Sequence, residues 1–169
     1  MSSTASQLRV NGTIAESVVD GPGIRYVIFV QGCPHHCEGC HNPQTHDFEG
    51  GSWVDTDTLF REIEQDPLLR GVTFSGGEPF CQAGALAKLA AKIHARGLDV
   101  MTYTGFTYEA LWDKARTEPD ILALLQATDT LVDGPFLLAQ RDLTLRFRGS
   151  ANQRVLRLRE GRIADEPIA

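Results

Sequence analysis

The sequence predicts an α/β fold in which a parallel sheet, covered by helices, forms a partial, open barrel. Apolar runs rich in β-branched residues alternate several times along the chain with segments of helical periodicity. The predicted strands are almost continuously apolar, which is typical of parallel strands buried on both faces. The 169 residues are too few for a complete eight-fold barrel, which needs about 250 residues.

The strands are predicted from short apolar runs that end at glycine or at polar residues. Their predicted positions are residues 8–14 as an edge strand, 26–30, 71–75, 98–103, 130–133 and a final strand near 154–158. Gln31-Gly32 ends the second of these runs and Gly76-Gly77 ends the third, as expected of strand termini.

The helices are predicted from apolar residues spaced three or four apart. They cover residues 55–65, 82–96 and, as one or two helices, 108–127. Asp55 or Thr56 is suited to cap the first helix, because a short polar side chain can accept a hydrogen bond from the first turn. Gly97 supplies a stop after the second helix.

The composition indicates one domain spanning residues 1–169. Apolar residues make up 42% of the chain and charged residues 22%, which suffices for a buried core. The N-terminus lacks the apolar core of a signal peptide, and no run reaches the roughly eighteen apolar residues of a membrane span. We therefore expect a cytoplasmic protein that does not enter the membrane, with flexible ends at residues 1–7 and 164–169.

The net charge of −6 is unevenly distributed. Residues 1–140 hold 9 basic and 18 acidic residues, whereas residues 141–169 hold 7 and 4. The basic residues of the second part are Arg141, Arg146, Arg148, Arg154, Arg157, Arg159 and Arg162. They form either a solvated strand and turn or a docking face for an acidic partner or for a cofactor's negative groups. Nucleic-acid binding is disfavoured, because the chain is acidic and this segment lacks interleaved aromatic residues.

Polar, glycine-rich motifs follow four of the predicted strands. They are GCPHHCEGC, SGGEP, YTG and DGP, in chain order. In parallel α/β sheets the loops at the carboxyl ends of the strands gather on one side and form the site. We therefore expect these four motifs to lie close together.

The first of these motifs contains Cys33, Cys37 and Cys40. Thiolates bind both iron–sulfur clusters and zinc, so three of them on one short loop predict a metal site in a reducing compartment. A four-iron cluster held by three cysteines leaves one iron without a protein ligand, and an open metal position can bind a substrate.

Two other metal sites satisfy the same spacing. One is a zinc site completed by a nearby histidine. The candidate histidines are His35, His36, His41 and His46. The other is an electron-transfer cluster with Cys81 as fourth ligand, although a lone cysteine near a helix start is more often a small buried apolar residue.

The second motif places two glycines and an acid after a strand. Gly76 and Gly77 let the backbone turn sharply and approach a ligand without an intervening Cβ atom. Exposed carbonyl groups there can accept hydrogen bonds from an ammonium group, and Glu78 offers a carboxylate nearby. A plain strand-to-helix turn is the alternative interpretation.

The cysteine triplet and the following glycine–acid motif resemble the radical S-adenosylmethionine (SAM) superfamily. The flanking segments DGPGIR (20–25) and CHNP (40–43) resemble the glycyl-radical-enzyme activases within it. Further segments are similar to the activating proteins of anaerobic (class III) ribonucleoside-triphosphate reductase. They are THDFEGG (45–51), GVTFSGGEPF (71–80), YTGFT (103–107), LVDGPF (131–136) and FRGSANQR (147–154). The resemblance covers about residues 12–158.

This resemblance implies a partial barrel of the radical SAM type and a set of cofactor ligands. Cys33, Cys37 and Cys40 would hold a [4Fe–4S] cluster, and SAM would bind the open iron through its amino and carboxylate groups. The expected SAM contacts are Gly39, Cys40 and His41 at the adenine, Gly76, Gly77 and Glu78 at the amino group, and Thr102 and Thr104 at the ribose or carboxylate.

The resemblance also implies the reaction and the partners. The expected activity is generation of a glycyl radical in the reductase by reductive cleavage of SAM, with no catalytic group beyond the cluster and SAM ligands. The expected partners are the reductase with its C-terminal glycine, a flavodoxin-like or other low-potential electron donor, and possibly a second copy of the chain. An activase of another glycyl radical enzyme, of the formate-lyase type, is the nearest alternative; a non-catalytic zinc-binding or electron-transfer domain is the other.

Overall fold

An open sheet of eight strands runs through the computed structural model, which describes residues 6–165. The strands are β1 (Gln7–Ser17), β2 (Arg25–Val30), β3 (Ser52–Asp55), β4 (Gly71–Gly76), β5 (Asp99–Tyr103), β6 (Thr130–Asp133), β7 (Arg154–Arg159) and β8 (Arg162–Ile163). Their spatial order is β3-β1-β2-β4-β5-β6-β7-β8. The helices are α1 (Thr56–Glu64), α2 (Ala83–Ala95), α3 (Tyr108–Ala115) and α4 (Pro119–Ala127).

The parallel pairing expected from the sequence is confirmed for the centre of the sheet only. Strands β2, β4, β5 and β6 are parallel neighbours, and helices lie in the connections between them. The flanking strands β1, β3, β7 and β8 pair antiparallel. The segment between β6 and β7 contains no α-helix to return the chain to the starting edge, so β7 runs back along β6. The fold is therefore mixed α/β, and the curvature of a partial barrel stays a prediction.

The predicted edge strand at 8–14 is longer and lies inside the sheet. It extends over Gln7–Ser17 and pairs with β2 on one side and β3 on the other. Strand β3 was not predicted, since it has only four residues and most of them are exposed. The true edge is therefore β3.

The helices match the predicted segments closely. Asp55 caps α1, because its carboxylate accepts a hydrogen bond from the Asp57 N–H at 2.8 Å. The segment 108–127 forms two helices, and Pro119 lies at the start of the second, where its missing N–H costs nothing. Among residues 6–165, no helix is both long and apolar enough to cross a membrane.

The expected flexible ends, residues 1–7 and 164–169, lie mostly outside the described part of the chain. Gln7 already pairs with Asp55 in the sheet, and the Ala164 N–H donates to the Arg157 carbonyl at 2.8 Å.

One face of the sheet packs against the helices. Alternate strand residues such as Ile28, Phe74 and Val100 join Leu86 and Leu124 of α2 and α4 in one apolar core. Successive side chains of a strand point to opposite faces, so the residues between them face away from this core. Those residues are Val27, Thr73 and Met101, and all three are fully buried. Another part of the chain must therefore cover the second face.

The segment from Val18 to Ile24 supplies that cover over the centre of the sheet. The Thr73 hydroxyl donates to the Asp20 carbonyl at 2.7 Å. Gly21 has a φ of 137°, and a Cβ atom there would lie 2.7 Å from the Met101 sulfur. A larger residue would lift the segment off the sheet.

Arg25 fixes this segment from within the protein. Its guanidinium is fully buried and donates to the Thr73 hydroxyl at 2.7 Å and to the Pro22 carbonyl at 3.0 Å. It also donates to the Val72 carbonyl at 3.0 Å and to the Asp99 carboxylate at 2.5 Å. A buried cation is tolerated when it is both paired and hydrogen-bonded, as here.

We predict that Asp99→Ala lowers the free energy of unfolding by about 3 kcal/mol, because it leaves the buried Arg25 charge without its counter-ion. Urea denaturation under anaerobic, reducing conditions measures this difference. The control is Arg116→Ala, which removes an ion pair with Asp113 whose side chains are both more than three-quarters exposed and contributes little. Equal stability of the two variants would contradict this role for Arg25.

Candidate functional site

A cavity of about 530 Å³ lies at the carboxyl ends of the four parallel strands. Each of the four polar motifs contributes to its wall, as the sequence predicts. The contributing residues are Cys33, Cys37 and Cys40 after β2, Ser75, Gly76 and Gly77 at β4, Tyr103, Thr104 and Gly105 at β5, and Gly134 after β6. The cavity is therefore the candidate site.

The cysteine loop has little regular structure and is held by backbone hydrogen bonds. The Gly32 and Cys33 N–H groups donate to the carbonyls of Thr45 and His46, at 2.7 and 3.1 Å. The Cys40 N–H donates to the Cys37 carbonyl at 3.2 Å. These bonds keep all three cysteines on one wall of the cavity, with Cys33 buried and the other two half-buried.

The surroundings of Cys33 oppose an isolated thiolate. Burial raises the pKa of the Cys33 thiol, and the negative charges of Glu78 and Cys37 raise it further. The backbone N–H groups of His35 and His36 act in the opposite direction without cancelling the increase. A thiolate here therefore needs a positive charge beside it, which a bound metal supplies.

The donor set fits an iron–sulfur cluster. Cys33, Cys37 and Cys40 all line the same cavity. In a cluster each thiolate binds a different iron, so three thiols on one cavity wall suit it.

Glu78 connects the loops that surround the cavity. Its carboxylate is fully buried and accepts hydrogen bonds from His35 Nε2 at 2.6 Å and from the Thr104 hydroxyl at 2.9 Å. It also accepts from the backbone N–H groups of Gly105 at 2.8 Å and Phe80 at 3.0 Å. One side chain thus joins the cysteine loop, the β4 loop and the β5 loop.

The β4 loop and the cysteine loop also touch through their backbones. The Gly77 N–H donates to the Val30 carbonyl and the Glu78 N–H to the Gly32 carbonyl, both at 2.8 Å. A Cβ atom at Gly77 would lie 2.3 Å from the Gly32 carbonyl oxygen. Glycine is required here for a close approach between two backbones.

Comparison with known proteins identifies the family. The pattern of a family described as a 4Fe-4S single cluster domain matches residues 19–156. The anaerobic ribonucleoside-triphosphate reductase-activating protein of Vibrio cholerae is 36% identical over 144 residues, covering 80% of this chain and 89% of the relative. The chain belongs to this family of reductase-activating proteins.

Other members of the family show a similar level of identity. The activating protein of Haemophilus influenzae is 31% identical over 150 residues, covering 84% of this chain and 93% of its own. That of Escherichia coli K12 is 32% identical, covering 84% and 94%. Among solved structures, QueE from Escherichia coli aligns with 60% of this chain and 53% of its own, at 22% identity and a TM-score of 0.48.

In this activating protein, five of the eight expected SAM contacts line the cavity. They are Cys40, His41, Gly76, Gly77 and Thr104. The His41 ring lies 5.0 Å from the Phe136 ring and is tilted by 48° to it, and both residues line the cavity.

The other three expected SAM contacts, Gly39, Glu78 and Thr102, do not line the cavity. Thr102 is fully buried and shares a 2.9 Å hydrogen bond with Thr128, since it points to the side of the sheet opposite to Tyr103. Glu78 has its oxygens occupied by protein donors. Gly39 has a φ of 74° and faces Leu138, whose Cδ1 would lie 2.9 Å from an added Cβ atom.

Asp20, Tyr103, Arg148 and Gln153 line the cavity without having been among the predicted contacts. Burial, and then the negative charge of Asp20, raises the pKa of Tyr103 far above its usual range, so its hydroxyl remains a donor. Arg148 donates to the Gln153 carbonyl at 2.6 Å. The segments DGPGIR, YTGFT and FRGSANQR contain these four residues. The family resemblance of these segments could therefore have indicated them as site residues, although it assigned them no role.

Cys81 lies outside the cluster cavity. It is exposed and lines a separate cavity of about 780 Å³ with Gln82 and Lys88. Partial burial of the thiol, and then the charge of Glu78, raises its pKa to about 11. It is therefore a protonated thiol at neutral pH, and its position in a separate cavity keeps it apart from the other three cysteines.

We predict that replacing Cys33, Cys37 or Cys40 with serine removes most of the iron bound after anaerobic reconstitution, because each thiolate would hold a separate iron. Cys81→Ser is the matched control and retains the wild-type iron content. Iron and sulfide analysis, with the visible absorption spectrum, measures the effect. Loss of the cluster in the Cys81 variant alone would contradict this ligand set.

Proposed function

We propose that this protein activates anaerobic ribonucleoside-triphosphate reductase by generating its glycyl radical, through reductive cleavage of SAM at a [4Fe–4S] cluster. The observation that carries the proposal is the placement of three thiols and the Gly76-Gly77 turn on the wall of one cavity, in a chain whose relatives are reductase-activating proteins. The cluster, when bound, supplies the electron that breaks the C5′–S bond of SAM and so provides the acceptor for one glycine hydrogen atom.

The cysteines of this chain would hold the cluster and leave one iron free for SAM. Cys33, Cys37 and Cys40 are three ligands for four irons. Cys81 faces a different cavity and does not complete the set.

The β4 and β5 loops would orient SAM beside that free iron. Ser75, Gly76 and Gly77 border the cavity with little side chain, so their backbone groups are open to an ammonium group. Thr104 borders it as well, and the adenine would stack against the ring of His41 or of Phe136, which are tilted by 48° to each other. The contribution of the protein is positioning and exclusion of water, without an acid or base acting on the substrate.

The remaining parts of the proposal concern the shape and the partners. The sheet would curve into a partial barrel around the cavity, and the C-terminal glycine of the reductase would enter from the open side. A flavodoxin-like or other low-potential donor would supply the electron. Cysteine-ligated clusters of this kind need a reducing compartment, which supports a cytoplasmic location. Association of two copies of the chain belongs to the same proposal.

We predict that the anaerobically reconstituted, reduced protein shows a [4Fe–4S] paramagnetic resonance signal that shifts when SAM is added. It also forms 5′-deoxyadenosine and, with the reductase, a glycyl radical. Cys37→Ala abolishes all three signals because the cluster lacks a ligand. A stable cluster that neither responds to SAM nor cleaves it would refute the proposed reaction.

We further predict that Gly77→Ala lowers the rate of SAM cleavage by about a hundredfold, because a methyl group would push the β4 loop away from the Gly32 carbonyl and displace the site by about 1 Å. The matched control is Gly12→Ala in β1, where an added Cβ atom meets nothing within 4 Å. The rate of 5′-deoxyadenosine formation measures both variants. Equal rates would show that the close contact does not position SAM.

A further inference from the structure

A long connection, residues 134–153, joins β6 to β7 and contains one short 3-10 turn at Leu138–Gln140. Connections of this length are uncommon in a compact domain and are usually functional. Its two ends lie side by side, because the flanking residues Asp133 and Arg154 are partners in the β6–β7 pair. The connection is therefore a loop with a narrow neck, and its shape depends on the groups that close this neck.

A buried ion pair fixes the base of the neck. The buried carboxylate of Asp133 accepts hydrogen bonds from Arg154 Nε at 3.0 Å and from the Tyr108 N–H at 2.7 Å. The other side of the same guanidinium donates to Glu109 at 2.7 and 3.2 Å. Arg154 is thus paired within the protein, and the backbone of the preceding residue, Gln153, is held at the end of β6.

The side-chain amide of Gln153 closes the neck with three hydrogen bonds. Its Oε1 accepts from the backbone N–H groups of Gly149 at 2.9 Å and Ser150 at 3.2 Å, near the end of the connection. Its Nε2 donates to the Gly134 carbonyl at 3.0 Å, at the beginning of the connection. One side chain therefore ties the two ends of the loop together.

The neighbouring Asn152 makes a weaker link across the same neck. Its Nδ2 donates to the Pro135 carbonyl at 2.8 Å, but its Oδ1 is buried and has no hydrogen-bond partner among residues 6–165. A buried oxygen without a donor carries a desolvation penalty that offsets the gain from one hydrogen bond. Gln153 bonds through both its oxygen and its nitrogen, so it is the main closure of the neck.

The closed connection packs against the second half of the cysteine loop. A Cβ atom added at Gly39 would lie 3.4 Å from the Phe136 ring. A Cβ atom added at Gly149 would lie 3.1 Å from the same ring and 3.2 Å from the His41 ring. The Phe136 ring is thus enclosed between the cysteine loop and Gly149, the residue whose N–H donates to Gln153.

We propose that Gln153 is a positioning residue for SAM: its amide keeps the 134–153 connection closed, and the closed connection holds the Phe136 and His41 rings where the adenine stacks. The inference rests on the proposed function, because it takes the ligand of the cavity to be SAM. Without the amide, the Gly149 backbone could withdraw from the two rings, and their positions would no longer be fixed before SAM binds. Affinity for a ligand falls when its binding groups must first be ordered.

The cluster ligands do not depend on this closure. The Cys33 N–H donates to the His46 carbonyl and the Cys40 N–H to the Cys37 carbonyl, and both bonds lie within residues 33–46. Loss of the Gln153 hydrogen bonds therefore affects the adenine side of the cavity and leaves the three thiols in place.

The test compares Gln153→Met with the wild-type protein after anaerobic reconstitution. Methionine is similar in length and volume to glutamine but cannot replace its three hydrogen bonds. With a chemical reductant, the KM for SAM in 5′-deoxyadenosine formation rises by about tenfold, which corresponds to the loss of one or two net hydrogen bonds. The kcat stays within about twofold, because contacts to the adenine are made equally in the ground state and the transition state. The SAM concentration that shifts the paramagnetic resonance signal rises in parallel, while the iron and sulfide content is unchanged.

The matched control is Gln140→Met, the same substitution in the same connection at an exposed side chain, and it keeps the wild-type KM and kcat. A wild-type KM for Gln153→Met overturns the positioning role. Loss of the cluster, or a fall in kcat at unchanged KM, also overturns it, since Gln153 would then support the fold or the chemical step instead. Failure of the wild-type protein to bind and cleave SAM refutes the proposed function rather than the role of Gln153.

Discussion

A buried carboxylate organises the candidate site. Glu78 is enclosed by protein, and such a group is tolerated only when hydrogen-bond donors surround it. Its four donors come from His35, Phe80, Thr104 and Gly105, which lie on three separate loops. Satisfying one side chain therefore fixes the cysteine loop against the β4 and β5 loops. The sheet brings these loops to the same end, and Glu78 determines how they meet.

The polar groups that hold the loops together differ from the groups that line the cavity and could contact a ligand. Glu78 follows β4, and Thr102 lies near the end of β5. The polar groups of both side chains are hydrogen-bonded within the protein, to Thr104 and to Thr128. The wall that faces a ligand contains thiols, glycine backbone and the rings of His41 and Phe136, with Asp20, Tyr103 and Arg148 beside them. Glu78 and Thr102 thus hold the loops in place, while this second set of groups is exposed to the cavity.

The sequence predicted the central parallel strands and the convergence of the motifs, because hydrophobic runs and glycine turns report directly on buried strands. It did not predict which way a strand's side chains face. Thr102 and Tyr103 are adjacent, and only the packing of Thr102 against Thr128 shows that Tyr103 faces the cavity. When the residues on both faces of a strand are buried, the sequence pattern does not indicate which side chains face the helices and which face the cavity. Strand β3 has only four residues, three of them exposed, and carries too little apolar signal to be recognised. The role of Glu78 depends on contacts 26 to 43 residues away in sequence.

The second face of the sheet links the fold to the mouth of the cavity. The segment from Val18 to Ile24 covers Thr73 and Met101. Arg25 lies buried beneath the segment and holds it there by donating hydrogen bonds to the Pro22 carbonyl and the Thr73 hydroxyl. One end of that segment presents Val18 and Val19 to solvent, and Asp20 lines the cavity beside Tyr103. The exposure of the two valines is thus imposed by a stable buried network rather than by a loose loop. A segment fixed in this way keeps Asp20 and Val19 in place at the cavity, so a ligand that contacts them would bind without the loss of much conformational entropy in the protein.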